Sequence, residues 1–299
     1  MSTRILDGEE LAATMRAEMT EEVAQLKESH DLVPGLGVIL VGENPASVSY
    51  VRGKRRACEK VGVHSIETRM PADVPEEEIL KEVVRMNEDE SIHGILVQLP
   101  LPDGIDEGRI LNAVDPNKDV DGLHPVNLGK LMRQEEGFLP CTPHGIKMIL
   151  IRSGIEVQGK NVVVVGRSTL VGRPVANILT QKAEGANATV TICHTGTTDL
   201  AAYTKAADIL IVAAGRPGTV TADMVKEGVV VIDVGVEQIP DPSKKRGYRL
   251  VGDVDFDGVS KKASAITPVP GGVGPMTITM LLYNTILSAK RTHTRLRNQ

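Results

Sequence analysis

Aromatic residues are nearly missing from this chain: its 299 residues hold no Trp, two Phe and four Tyr. The core must therefore be built from Val, Ile, Leu, Ala and Met, which suits parallel strands covered by helices on both faces. Cysteine is also scarce. Cys58, Cys141 and Cys193 are odd in number and far apart, with no CxxC pair. That spacing indicates neither a disulfide framework nor a zinc site, and it fits a reducing compartment. No apolar run approaches the roughly 20 residues of a membrane span. The N-terminal stretch MSTRILDGEELAATM lacks the apolar region of a secretory signal. The expectation is a soluble, cytoplasmic protein with no membrane partner. A net charge of −5 gives no reason to expect nucleic acid. The basic stretch Lys290–Arg297 reads as a solvated C-terminus.

What is present is a repeated alternation of strands and helices. Asp7 can cap a helix whose Leu11, Met15, Met19, Val23 and Leu26 form one stripe. Pro34-Gly35 breaks it, and residues 36–42 read as a buried strand. A helix over 45–61 ends at Gly62, and a short strand follows near 63–68. Pro75 opens a third helix, with Glu76, Glu77 and Glu78 in its first turn. A strand over 94–99 and a helix over 106–113 complete the series. The pattern restarts with a helix over 143–154, a strand over 162–166 and a helix from Gly172. Strands at 188–193, 208–215 and 229–235 follow, then a polar loop or hairpin at 237–250. A short strand at 264–267 and a helix from Pro275 through Ile286 close the chain. This alternation predicts an α/β protein of two α/β domains, the second a Rossmann-type parallel sheet, with a cleft between them.

Three segments carry chemistry in the first part. SVSYVRGKRRA places Tyr50 and Lys54 four residues apart on one helix face. GILVQLPLP is a buried strand that delivers Val97, Gln98 and Leu99 at its C-terminal end, where open α/β sheets bind ligands. A free lysine has a pKa near 10.4, and desolvation can bring a catalytic one to roughly 7–8. Gln98 is placed to hold the neutral amine, orient a water or bond a substrate amide, and Tyr50 to stack on a planar ring or position Lys54. Within DPNKDVDGLHP, Asp119 and Asp121 alternate along an extended segment, so one of them can face a ligand. A carboxylate there suits a ring bearing an N–H and an amino group, as in a pterin or a guanine. No third carboxylate falls at a useful interval, so no metal is expected. TPVPGGVGPMT fixes a tight backbone through Pro270, Gly271, Gly272, Val273 and Gly274, read as a ligand-approaching loop or an interdomain hinge.

The second part carries a nucleotide-type turn, VVVVGRSTLVGRP. Gly166 permits the tight turn and Ser168 stands where a second glycine is usual. The following helix start is expected to offer free N–H groups to a phosphate. A carboxylate that would bond the ribose 2′-hydroxyl is missing at the end of the next strand, which reads CHTGT. Arg167, Thr195 and Thr197 are placed for a 2′-phosphate instead. This favours NADP over NAD. No chemistry is assigned to His194.

Taken together, NPASVSYVRGKRRACEKVG, GILVQLPLP, KDVDGLHPVNLG, PCTPHGI, VVVVGRSTLVGRPVA, AAGRPG, VIDVG, VGDVDF and TPVPGGVGPMT resemble, in order, the bifunctional methylenetetrahydrofolate dehydrogenase/cyclohydrolases. The resemblance implies NADP-dependent oxidation of 5,10-methylenetetrahydrofolate, then hydrolysis of the methenyl product to 10-formyltetrahydrofolate. By resemblance, Lys54 is the essential lysine of the hydrolytic step, Gln98 tunes it, Tyr50 lies on the pterin and Asp121 binds the pterin ring. Residues 270–274 match the loop that closes over the substrate. Gly166, Arg167 and Ser168 match the cofactor turn, and Val236 a backbone contact to the cofactor. The resemblance also implies a catalytic domain of residues 1–140 plus 275–299, an inserted NADP domain of residues 141–274, and a homodimer joined through the cofactor domains. The chain departs from many members in having Thr195 rather than Ser. The rival readings are a dehydrogenase without cyclohydrolase activity and a folate- or nucleotide-binding protein without turnover.

Overall fold

A computed structural model of the chain describes residues 3–244 and 246–297. Met1, Ser2, Lys245, Asn298 and Gln299, which fall in the expected N-terminal, loop and C-terminal segments, lie outside the described residues. In chain order the elements begin with β1 (Arg4–Ile5), α1 (Gly8–His30), β2 (Gly35–Val41), α2 (Pro45–Val61) and β3 (His64–Met70). Next come α3 (Glu76–Glu88), β4 (Gly94–Val97), α4 (Glu107–Ala113), α5 (Pro125–Arg133) and α6 (Cys141–Arg152). They continue with β5 (Asn161–Val165), α7 (Gly172–Thr180), β6 (Thr189–Cys193), α8 (Leu200–Ala206) and β7 (Ile209–Val212). The last are β8 (Val230–Asp233), β9 (Glu237–Pro240), β10 (Tyr248–Val251), α9 (Phe256–Val259), β11 (Ala265–Ile266) and α10 (Val273–Arg297).

Two compact units result. One comprises Ala13–Cys141 with Ile278–Gln299, the other Met1–Ala12 with Thr142–Thr277. In the first, β2 pairs in parallel with β3 on one side and β4 on the other. Every residue of β2 is buried, as expected of a central parallel strand. Ile39, Val41, Ile79, Val83, Met86, Ile95 and Val97 form the core beneath α3. Close packing there requires small residues: a Cβ on Gly37 would lie 2.7 Å from the Met86 sulfur.

The second unit is built on a six-stranded parallel sheet in the order β1-β11-β8-β7-β5-β6, with β9 and β10 as a separate antiparallel hairpin. Its core is the inward face of β5, β7 and β8, with Val163, Leu210, Val212 and Val231 fully buried. The hairpin fills the polar stretch at 237–250.

Arg4–Ile5 adds a strand not expected from sequence to the edge of the six-stranded sheet through β11. A two-residue strand is too short to show a period. The last helix does not stop at Ile286 but reaches Arg297, so the basic stretch is helical. Lys290 pairs with Glu22 at 2.8 Å and Arg291 with Glu136 at 2.6 Å. Helices α5 and α8 lie in stretches to which the sequence assigns no element.

Candidate active site

In the first unit the site starts from one helix. Asn44 caps α2, its side-chain oxygen accepting the N–H groups of Ala46 and Ser47 at 3.0 and 3.3 Å. Gly62, at φ +87°, ends it in the left-handed conformation. The buried face of α2 is Ser47, Val51, Lys54, Ala57, Cys58 and Val61. Lys54 therefore occupies an apolar stripe, and only 6% of it is exposed. Desolvation holds its pKa below the ordinary lysine value, while Asp121, Cys141 and Cys58 pull in the opposite sense.

β4 supplies the amine's partner. The N–H of Gln98 continues the ladder to Ile39 O at 2.9 Å. Its side-chain Nε2 donates to Leu99 O at 2.7 Å, which fixes the amide so that Oε1 accepts from Lys54 Nζ at 3.0 Å. Lys54 Nζ also lies 5.5 Å from the centre of the Tyr50 ring, whose residue is 39% exposed. Tyr50, Lys54 and Gln98 are thus brought together, with Val97 buried at the strand end and Leu99 partly buried. Of the two aspartates, Asp121 is the one whose charge acts on Lys54. Asp119 is buried, and its carboxylate accepts from Leu123 N, His124 N and Asn127 Nδ2 at 3.2, 2.9 and 2.8 Å. Desolvation outweighs these donors and lifts its pKa to about 6. Asp119 holds the turn, while Asp121 is half-buried and lies close enough to Lys54 and Cys141 to act on both. The set can hold a neutral amine beside a flat ring surface and a carboxylate, which suits activation of water next to a planar, nitrogen-bearing ligand.

In the second unit β5 runs into Gly166 at φ +130°. A Cβ there would lie 2.2 Å from Ala213 O, so only glycine passes. The free N–H groups expected at the start of α7 are partly taken. Ser168 Oγ accepts from Val171 N at 3.1 Å and Gly172 N at 3.4 Å, and Ser168 O accepts from Arg173 N at 3.1 Å. The hydroxyl at the second-glycine position is the cause. Arg167, next in the turn, is exposed. His194, given no role from sequence, faces it: Arg167 Nη1 and His194 Nε2 are 3.5 Å apart. His194 Nδ1 accepts from Gly196 N at 3.0 Å, which fixes the imidazole in this turn beside the guanidinium. Thr197 Oγ1 accepts from His194 N at 2.9 Å and closes this turn, while Thr195 is exposed beside it.

The loops after β7 and β8 depend on two buried carboxylates. Asp253 accepts from Ala214 N, Gly215 N and Arg216 N at 2.6, 3.0 and 2.7 Å. Asp233 accepts from Gly235 N, Asp253 N and Val254 N at 3.1, 2.9 and 3.0 Å. Val236 follows this pair and is 49% exposed. In the 267–277 segment, Thr267 Oγ1 accepts from Asp233 N at 2.8 Å and Gly271 O accepts from Glu9 N at 3.1 Å. Pro270, Gly271 and Gly272 are a tied-down turn, while Val273 and Gly274 already belong to α10. Among the described residues no cluster of three metal-ligating side chains occurs, and no helix is long and apolar enough to cross a membrane.

The catalytic-domain sequence model of the tetrahydrofolate dehydrogenase/cyclohydrolases matches residues 6–121, and their NAD(P)-binding-domain model matches residues 140–293. The bifunctional protein FolD of Syntrophus aciditrophicus is 57% identical over 97% of this chain and 98% of its own length. That of Chlorobium phaeovibrioides is 55% identical over 97% and 99%. Among solved structures, the bifunctional FolD enzyme of Campylobacter jejuni superposes with a TM-score of 0.91 at 48% identity, covering 97% of this chain and 100% of that one. The Trypanosoma brucei enzyme, complexed with NADP cofactor and an inhibitor, superposes with a TM-score of 0.93 at 44% identity, covering 98% and 99%. On these matches, which span both units, the chain belongs to the tetrahydrofolate dehydrogenase/cyclohydrolase family.

Proposed function

We propose that the protein oxidises 5,10-methylenetetrahydrofolate with NADP to the 5,10-methenyl form and then hydrolyses that product to 10-formyltetrahydrofolate, serving one-carbon metabolism. The observation that carries this reading is the buried Lys54 amine held 3.0 Å from Gln98 Oε1. Neither feature is needed by a dehydrogenase alone. NADP, when bound, accepts the hydride. That step asks the chain for alignment of two rings rather than for an acid or base. The hydrolytic step needs an activated water, and a lysine whose pKa is lowered by burial supplies a base.

In this reading Lys54 handles the proton, Gln98 holds its amine, Tyr50 offers its ring face to the pterin and Asp121 accepts the ring's N–H and amino hydrogens. Val97 and Leu99 line the same site, and Pro270, Gly271, Gly272, Val273 and Gly274 take the role of substrate loop that the resemblance implies. Gly166, Arg167, Ser168, Thr195, Thr197 and Val236 take the cofactor, with His194 beside Arg167 at the 2′-phosphate. The unit with the six-stranded sheet is the cofactor unit and the other the folate unit. The outer edge of β6, where Ile192 is exposed, supports pairing of two copies through the cofactor units. Three free, buried cysteines support a cytoplasmic location.

The test mixes the purified protein with 5,10-methylenetetrahydrofolate and NADP and follows NADPH and the methenyl product together. NADPH rising with little methenyl accumulation is the expected result. Methenyl accumulating in step with NADPH would leave a dehydrogenase alone, and no NADPH would leave a binding protein.

A further inference from the structure

We propose that Asn284, on α10, is a positioning residue for Asp121 and thereby for recognition of the substrate ring. This rests on the assignment of Asp121 to the pterin. Asn284 is 1% exposed. Its Nδ2 donates to Val120 O at 2.8 Å and to Leu139 O at 3.1 Å, and it lies 3.8 Å from Cys141 Sγ. Val120 O also accepts the Cys141 thiol at 3.2 Å, and the Cys141 N–H donates to Asp121 O at 3.2 Å. The peptide before Asp121 and the carbonyl of Asp121 itself are thus both pinned to the segment 139–141.

The two segments are in tight contact. A Cβ on Gly122 would lie 2.5 Å from the Leu139 carbonyl carbon. Relative slippage of a few tenths of an ångström therefore moves Asp121 rather than being absorbed. Two carbonyls converge on the Asn284 amide here, and buried carbonyls are held by donors. An amide nitrogen carries two N–H groups and meets both, whereas a hydroxyl meets one and a methyl none. One turn further along α10, Ser288 Oγ contacts His93 O at 2.6 Å and Asn117 O at 2.9 Å. The same helix face thus grips the 117–121 segment at two points. Asp119 fixes the turn that follows through its three donors. The carboxylate of Asp121, which the Cys141 side chain also touches, is aimed by this backbone frame, to which Asn284 contributes from α10.

The test is a double-mutant cycle on the full chain, Asn284→Ala against Asp121→Ala, read as separate KM values for folate and NADP together with kcat. The expected result is a rise of about tenfold in folate KM for Asn284→Ala, the equivalent of one buried hydrogen bond lost to an ionic contact. The KM for NADP stays within twofold. In the Asp121→Ala background the same change raises folate KM by less than twofold, because the residue it positions is gone. Independent, multiplicative effects on folate KM, or an unchanged folate KM in Asn284→Ala, would overturn the proposal and leave Asn284 a stabiliser of the fold. A folate KM that Asp121→Ala itself does not change would overturn the role of Asp121, a distinguishable failure that takes this proposal with it. If Asn284→Ala does not fold, Asn284→Ser, which keeps one donor, enters the same cycle under the same criterion.

Discussion

Replacing Gln98 with glutamate is the sharpest probe of the Lys54 site. The change is nearly isosteric, and it puts a carboxylate where a neutral oxygen now accepts from Lys54 Nζ at 3.0 Å. At an effective dielectric constant of about 20, a unit charge pair at that distance is worth about 5.5 kcal/mol, or about four pKa units. Glutamate must itself be desolvated to ionise there, which consumes part of that gain, but even a third of it exceeds one unit. The sign is fixed. The ammonium is stabilised, so the deprotonated lysine needed as a base appears only at higher pH. Gln98→Glu is therefore expected to hydrolyse methenyltetrahydrofolate more than tenfold more slowly than the wild type at pH 7. The rising limb of its pH–rate profile should move up by at least one unit, while the dehydrogenase rate, which needs no base, changes far less. The assay is methenyl hydrolysis from pH 6 to 9 beside NADPH formation on the same preparations. An unshifted hydrolysis profile at the wild-type rate would refute the idea that Lys54 works as a neutral amine tuned by Gln98.

Other outcomes follow from the same geometry. Lys54→Met, which fits the apolar stripe of α2, should lose hydrolysis by about 10²- to 10⁴-fold while the protein stays folded; retained hydrolysis removes Lys54 from the mechanism. Arg167→Ala should lower kcat/KM for NADP by about 10- to 100-fold, the worth of a hydrogen bond to a charged group, and leave kcat/KM for NAD nearly unchanged; equal losses with both would move Arg167 away from the 2′-phosphate. Asp233 has a pKa raised to about 6, chiefly by burial, against an ordinary value of 3.8. Between those values the folded state keeps a proton that the unfolded state releases. Its contribution is therefore present at low pH and is lost as pH rises through about 6, with a slope of up to about 1.4 kcal/mol per pH unit. Urea unfolding of Asp233→Asn should show a correspondingly flatter pH dependence from pH 4 to 6, and parallel slopes in the two proteins would contradict the raised pKa.

Much of the architecture is written locally. The unbroken apolar runs of β2, β5 and β7, the cap at Asn44 and the left-handed stop at Gly62 are each set by neighbours a few positions away. The helical period is enough to set Tyr50 and Lys54 side by side, and the strand end is enough to present Gln98. Lys54 also stands in the apolar stripe of α2, a sign in the sequence that its amine is desolvated. What stayed hidden depends on partners far along the chain. Asn284 and Ser288 are polar positions in an apolar period, and from Ser288 onward the sequence turns polar and basic, so the helix reads as ending at Ile286. In the folded chain they are buried because their donors meet carbonyls more than 140 residues away. Asp253 looks like loop polarity until the three N–H groups of residues 214–216 converge on it. Arg4–Ile5 is a strand only because β11 offers it an edge. Sequence alone determined the long central strands and helices, the candidate amine with its amide, and the tight turn at Gly166, since short-range sterics and periodicity decide those. Tertiary structure alone decided that Asp119 is buried and bonded within its own turn, what the Ser168 hydroxyl accepts, and how the backbone of Asp121 is held. Those outcomes rest on burial and on donor–acceptor matches between distant segments, and local pattern carries no record of either.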